Sequence, residues 1–140
     1  MKIKVEYNVS DQAGGLLMKC GDHLWRECDK FLSKWDIAVG HYNVLRIING
    51  AGEPLSQVDI SRHLISSRAN VTKLVDKLEE MLLVERIPAK DRRLKLIRIT
   101  DKGFALLKEA VPLDIKNTEQ VLNNLSKKEQ ETLISILRKL

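Results

Sequence analysis

A segment near the middle of the chain combines small polar and cationic side chains with helical periodicity. Apolar residues recur at helical spacing from Val71 to Leu78, so we predict a helix from a cap at Ser66 or Ser67 to about Met81. A helix amino terminus favours phosphate, and short polar side chains there reach base edges in a major groove. The candidate base-reading residues are Ser66, Ser67, Arg68, Asn70, Thr72 and Lys73.

Positive charge is concentrated in and around that segment. Residues 68–98 hold nine Lys and Arg against five Asp and Glu, a net +4 out of +5 for the whole chain. Two runs rich in branched residues, 83–87 and 94–99, predict strands that flank a polar loop. A thin, positive loop of this kind fits a narrow minor groove. Its charged residues are Lys90, Asp91, Arg92, Arg93 and Lys95.

The remaining elements are predicted from periodicity and capping signals. We expect helices over residues 11–35, 39–49 and 56–64, a helix from Thr100 that Pro112 kinks or interrupts, and a last helix from a capping box at Ser126 to Leu140. A short helix, a tight connection, a second helix and a basic hairpin form a winged helix-turn-helix. The predicted fold class is mainly α with a small β-wing.

Composition narrows the function classes. The chain has 140 residues, 44% of them hydrophobic and 31% charged, which suits one globular domain. Because no apolar run approaches ~18 residues and no apolar leader is present, we expect a cytoplasmic protein without a membrane partner. We find no nucleophile–base–acid spacing, glycine-rich phosphate loop or metal motif, so we expect neither an enzyme nor a cofactor.

The chain resembles the MarR family of bacterial winged-helix transcription regulators. The resemblance lies in residues 41–45 (HYNVL), 55–60 (LSQVDI), 71–79 (VTKLVDKLE) and 91–103, where a D-x-R wing is followed by I-T-x-x-G. It implies a homodimer in which regions 1–35 and 104–140 form a dimer layer and region 36–103 reads duplex DNA. It also implies that Arg93 enters the minor groove and that a salt bridge from Asp91 orients it. From the residues alone, whether Arg92 or Arg93 points inward stays open.

Two positions depart from the family pattern. Leu82 stands where the family usually has a helix-ending Gly, which takes a left-handed conformation cheaply, so we expect a differently built turn. Ala38 replaces the usual hydroxyl cap before the second helix, at a cost of about 1 kcal/mol.

Effector sensing has three candidate sites. An aromatic crevice for a small aromatic or apolar ligand is predicted from Trp25, Phe31, Trp35 and Tyr42, with Phe104 nearby, although core packing is the competing interpretation. Cys20 and Cys28 are candidate redox residues, against the alternative of inert thiols. A metal set of Cys20, His23, Glu27 and Cys28 has helical spacing but lacks a recognised ligand motif, so we expect no metal site.

Together these features predict a sequence-specific DNA-binding regulator. We expect a homodimeric repressor on a near-palindromic operator, released by a small-molecule effector. The alternatives are a thiol-based redox regulator of the same fold and a winged-helix module that binds protein instead of DNA.

Overall fold

Helices dominate the fold, and a small antiparallel sheet lies among them. The computed structural model describes residues 1, 3–64 and 68–140, and at residue 68 only the backbone. Its elements, in chain order, are α1 (Val9–Leu32), a 3-10 turn (Ser33–Trp35), α2 (Val39–Ala51), β1 (Leu55–Ser56), α3 (Gln57–Leu64), α4 (Arg68–Glu80), β2 (Val84–Pro88), β3 (Lys95–Ile99), α5 (Asp101–Val121) and α6 (Lys127–Leu137). The predicted fold class, mainly α with a small β-wing, is confirmed.

The first helix begins two residues earlier than predicted. Asn8 Oδ1 accepts the Asp11 backbone N–H at 2.9 Å, and Asp11 Oδ2 accepts the Asn8 backbone N–H at 3.2 Å. This reciprocal cap satisfies two amino-terminal donors, so the helix starts at Val9. Leu32 is the buried residue of α1, which leaves most of this long helix outside the core.

The sheet has the order β1-β3-β2. β2 and β3 pair antiparallel with Val84 opposite Ile99, as the two predicted strands require. The edge strand β1 was not predicted, because two residues are too short for a periodicity to appear. It pairs with β3 through Leu55 opposite Ile97, which ties the start of α3 to the hairpin.

The turn after α4 keeps a left-handed residue. Leu82 has φ 60°, and the Leu83 backbone N–H reaches the Leu78 carbonyl oxygen at 2.9 Å. The expectation of a differently built turn is therefore wrong. The chain forms the usual helix ending and bears the strain of a leucine there, about 1–2 kcal/mol.

Helix α2 lacks the usual hydroxyl cap, and its first turn instead accepts the backbone donor of the cap residue. His41 Nδ1 accepts the Ala38 backbone N–H at 3.1 Å. This bond satisfies the backbone donor of the cap residue, but Ala38 offers no side-chain acceptor in return.

Helix α5 runs through Pro112 without ending. Thr100 Oγ1 caps it by accepting the Gly103 backbone N–H at 3.1 Å, and the helix continues to Val121. Of the two outcomes predicted for Pro112, a kink or an interruption, the interruption is wrong. Leu107, Ala110 and Asp114 are buried on both sides of the proline, and this packing offsets the hydrogen bond that proline cannot donate. The capping box at Ser126 is confirmed, and α6 ends at Leu137.

Candidate nucleic-acid interface

Helix α4, which we call the recognition helix, presents a polar face to solvent. Asn70, Thr72 and Lys73 are exposed, whereas Val71 and Val75 are fully buried in the core. Gln57 Nε2 donates to Thr72 Oγ1 at 2.9 Å and so joins the start of α3 to this face. The predicted residues Ser66 and Ser67 lie outside the described residues, as does the side chain of Arg68.

The wing consists of β2, β3 and loop 89–94, and its tip is organised by Asp91. Asp91 Oδ1 accepts the backbone N–H of Arg93 at 3.0 Å, and the Asp91 carbonyl oxygen accepts the Leu94 N–H at 3.0 Å. In the described part of the chain no ion pair joins the Arg93 guanidinium to Asp91. The salt bridge implied by the resemblance is therefore replaced by a side-chain bond to the backbone, which is typical of an Asx turn.

Arg93 lies beside the groove between the wing and the helix-turn-helix. A crevice of about 350 Å³ is lined by Ser56 of β1, by Gln57 and Val58 at the start of α3, and by Arg86, Arg93, Leu94 and Lys95 of the wing. Arg92 is exposed but is not among these lining residues. Of the two candidates left open by the sequence, Arg93 is the one that faces the helix-turn-helix.

Acidic groups near this surface are paired with two wing arginines. Arg86 Nη2 lies 2.5 Å from Asp76 Oδ1 and its Nη1 donates to Glu79, while Arg98 pairs with Glu85 at 2.6 Å. Burial lowers the pKa of Arg86, but Asp76 and Glu79 outweigh that effect and raise it above its usual range. On the recognition helix and the wing, the exposed cations Lys73, Lys90, Arg92, Arg93 and Lys95 form no ion pair with a described residue. The surface is therefore positive where a polyanion would approach.

Comparisons with known proteins agree with this geometry. The sequence model of the MarR family matches residues 35–94. The HTH-type transcriptional regulator PecS of Dickeya dadantii (strain 3937) is 30% identical over 115 residues, which cover 80% of this chain and 69% of PecS. The chain belongs to the MarR family. It is a transcriptional regulator of that family, whose members are not enzymes.

Solved structures of the MarR fold match nearly the whole chain. A mutant MarR from E. coli complexed with operator DNA is 25% identical, with a TM-score of 0.85, and the match covers 95% of this chain and 98% of that one. BpsR of Bordetella bronchiseptica is 24% identical, with a TM-score of 0.85 and 96% of each chain covered. At this level of identity, the likeness to BpsR shows only that the two chains share a fold.

A buried carboxylate connects three helices of this MarR-family protein. Asp114 on α5 is 8% exposed. It accepts hydrogen bonds from Tyr42 Oη at 3.1 Å, Arg46 Nη1 at 3.0 Å and Cys28 Sγ at 3.5 Å. We call these four residues the Asp114 cluster. It joins α1 and α5 to α2 through one acceptor group.

Sequence reasoning missed the Asp114 cluster although a signal was present. Asp114 follows Leu107 and Ala110 at helical spacing, so the acid lies on the buried stripe of α5. An acidic residue on an apolar stripe predicts a buried, hydrogen-bonded group, because an unpaired buried charge is too costly. Its partners could not be identified in the same way, because they come from residues 68 to 86 positions away.

The two cysteines lie in different environments. Cys20 is exposed on α1. Cys28 is partly buried, and burial, followed by the charge and hydrogen bond of Asp114, raises the pKa of its thiol to about 11. A thiol with this pKa is almost entirely protonated at neutral pH, which disfavours the redox role predicted for Cys28.

Cys28 should react slowly with an alkylating reagent. In the Cys20→Ser variant at pH 8, we expect iodoacetamide to modify Cys28 at least ~30-fold more slowly than free cysteine, since little thiolate is present. Intact-protein mass spectrometry over time measures this rate. The Cys28→Ser variant reports Cys20 under the same conditions. A Cys28 rate equal to that of free cysteine would contradict the raised pKa.

Three of the four predicted aromatic crevice residues lie in or against the same core cluster. Tyr42 is buried in the core and contacts Phe31 edge-on, with ring centroids 6.3 Å apart. Trp35 packs against the core edge beneath Lys34, whereas Trp25 is half exposed on α1. Phe104 lines a different crevice, beside Pro54 and Arg98. A ligand site at Trp25, Phe31, Trp35 and Tyr42 stays a prediction.

The described residues contain neither a candidate metal cluster nor a candidate membrane helix. No three His, Cys, Asp or Glu side chains lie close enough there to hold a metal ion. Among the same residues, no helix is both long enough and apolar enough to cross a bilayer.

Proposed function

We propose that this MarR-family regulator represses transcription as a homodimer bound to a near-palindromic operator, and that a small-molecule effector releases it. The observation that carries the proposal is the set of unpaired, exposed cations on the wing, placed beside the polar face of the recognition helix. A helix in the major groove would read the base edges, and a basic wing in the adjacent minor groove would attract the DNA backbone. The recognition residues proposed are Ser66, Ser67, Arg68, Asn70, Thr72 and Lys73, and the wing residues are Lys90, Asp91, Arg92, Arg93 and Lys95.

Exposed apolar side chains at both ends of the chain support the dimer. The helix α1 has 24 residues and buries Leu32, while the eleven residues of α6 include none that is buried. An amphipathic helix gains most of its stability by burying its apolar face, so these two helices need a partner surface. The exposed apolar residues in or beside these helices include Val9, Leu16, Leu17, Met18, Ile134, Ile136, Leu137 and Leu140. A second copy of the chain supplies that surface if regions 1–35 and 104–140 form the dimer layer.

The release step is supported by one relative with the same fold. In BpsR, 6-hydroxynicotinic acid regulates DNA binding. In the present chain, the Asp114 cluster joins α1 and α5 of the proposed dimer layer to α2 of region 36–103, the proposed DNA-binding region. A ligand that shifts these helices against each other would change the spacing of the two recognition helices, which must lie ~34–36 Å apart to enter successive major grooves.

Binding to duplex DNA over a range of salt concentrations tests the proposal. We expect a dimer by light scattering, with log affinity falling linearly with log salt as phosphate contacts release counterions. Selection from random duplexes should yield a two-fold symmetric site bound at least ~1000-fold more tightly than random DNA. Absence of DNA binding at low salt would reject the proposal and favour a winged helix that binds protein.

A further inference from the structure

We propose that Asp114 is a positioning residue that fixes the orientation of α2 against α5 and thereby sets the spacing of the two recognition helices in a dimer. This inference rests on the proposed function, since it names the group that holds region 36–103 in place for an operator. Asp114 is 8% exposed, and in the described part of the chain it is the only buried charged residue. A buried charge needs hydrogen bonds, because desolvation without them is too costly.

The donors to Asp114 come from two other helices and reach both of its oxygens. Oδ2 accepts from Tyr42 Oη at 3.1 Å and from Arg46 Nη1 at 3.0 Å, both on α2, and Oδ1 accepts from Cys28 Sγ at 3.5 Å on α1. Burial, followed by the charge of Asp114, raises the pKa of Tyr42 and of Cys28, so both groups keep the proton that they donate. These bonds fix α5 against α1 and α2 through a single side chain.

The apolar contacts beside the cluster are less directional than these bonds. Leu45 of α2 and Leu107 and Ala110 of α5 belong to one buried core. Apolar burial has no preferred direction, whereas a hydrogen bond weakens steeply when its angle changes. A buried ion pair contributes little net stability compared with apolar residues of similar volume, and its best attested role is to select one arrangement of packed helices. The Asp114 cluster has the composition and the location for that role.

Helix α2 transmits its orientation to the recognition helix. Gly40 of α2 lies so close to α4 that a Cβ built on it would be 3.1 Å from Leu74 Cδ2. Val75 of α4 belongs to the same buried core as Leu45 of α2. Because the two recognition helices must enter successive major grooves ~34–36 Å apart, a rotation of α2 against α5 changes how well both fit at once. Asp114 thus acts on operator binding although it is buried.

Two substitutions on α5 form a matched pair, because Asp114→Asn and Glu109→Gln each replace an acid with its amide. Glu109 is exposed and pairs with Lys34 at 3.6 Å. Affinity is measured for the selected operator and for duplexes with one base pair inserted or deleted at its centre, which moves the half-sites by ~3.4 Å. We expect wild type and Glu109→Gln to lose at least ~100-fold on the altered duplexes. Asp114→Asn should lose less than ~10-fold, because a neutral amide holds Arg46 less firmly.

Residual dipolar couplings measured without DNA test the orientation itself. In wild type and in Glu109→Gln, the couplings of α4 and α5 should fit one alignment tensor, whereas in Asp114→Asn they should need two. If Asp114→Asn fails to fold, Asp114→Leu with Arg46→Met and Tyr42→Phe keeps the test valid, because it removes the buried charge together with its charged and hydroxyl partners. This triple variant should also need two tensors and tolerate altered spacing.

The outcomes distinguish positioning from a structural role and from the proposed function. A variant that had only lost stability would keep the wild-type ratio between operator and altered duplexes, because a smaller folded fraction lowers affinity for all of them alike. That ratio, or a single tensor, in both Asp114 variants overturns the inference. Two tensors in the variants with no DNA binding by wild type at low salt reject only the proposed function. One tensor with normal operator binding by wild type rejects only the positioning role.

Discussion

Gly103→Ala will destabilise the protein by about 3 kcal/mol and lower its melting temperature by about 10 °C. A Cβ atom at Gly103 would lie 2.2 Å from the Leu83 carbonyl oxygen and 2.7 Å from Ile99 Cγ2. Neither atom can yield easily, because the Leu83 carbonyl also accepts the Thr100 N–H at 3.1 Å and Ile99 belongs to β3. The extra methyl group must therefore push the start of α5 away from the sheet. Urea unfolding at a fixed protein concentration measures the loss.

Gly50→Ala provides a matched control for Gly103→Ala. Gly50 also lies inside a helix, α2, and nothing lies within 4 Å of a Cβ built there. Alanine is intrinsically the better helix former by about 1 kcal/mol, so Gly50→Ala should be neutral or stabilising. Opposite signs for the two substitutions would identify crowding at Gly103 as the cause. If both variants gain stability, the close approach of α5 to Leu83 is incorrect.

Local patterns were sufficient to predict the recognition helix and the strands of the wing. The apolar stripe from Val71 to Leu78 predicted the recognition helix, and branched residues predicted both strands of the wing. These features depend on residues close together in sequence, for which periodicity and capping are direct signals. The capping box at Ser126 is of the same kind.

Errors arose where tertiary packing outweighed a local preference. Leu82 adopts a left-handed conformation that its side chain disfavours, because its neighbour Leu83 is buried and fixed by the core. Pro112 stays within α5 because buried residues hold the helix on both sides of it. The strand β1 exists only because β3 offers an unpaired edge. None of these outcomes follows from the residue and its immediate neighbours.

The sequence predicted which residues belong to the candidate site, but it predicted their spatial arrangement only in part. The sequence indicated which cations belong to the wing, since they are adjacent in the chain. It did not show that Arg86 pairs with Asp76 and Glu79 and so leaves Arg93 and Lys95 as unpaired charges. Pairing across elements depends on the fold, and it determines the net field that DNA would meet.

Removing two wing arginines should weaken DNA binding about 100-fold. We expect Arg92→Ala with Arg93→Ala to lower affinity for operator and random duplexes alike, and to reduce the slope of log affinity against log salt by about 2, because two phosphate-attracting charges are lost. Both side chains are exposed and pair with no acid in the described part of the chain, so folding stability should change little. Binding isotherms at several salt concentrations give the slope.

Two further variants distinguish the effect of net charge on DNA affinity from the effect of base contacts on sequence selection. Lys127→Ala with Lys128→Ala removes the same net charge at the start of α6, away from the wing, and should leave the salt slope within experimental error of wild type. Asn70→Ala on the recognition helix should change which sequences are selected more than it changes affinity for random DNA, since an asparagine contact discriminates adenine by about 1–3 kcal/mol. If the α6 double variant loses as much affinity as the wing double variant, binding follows the total charge of the protein and the wing has no special position on DNA. If Asn70→Ala selects the same site as wild type, α4 is not the element that reads the bases.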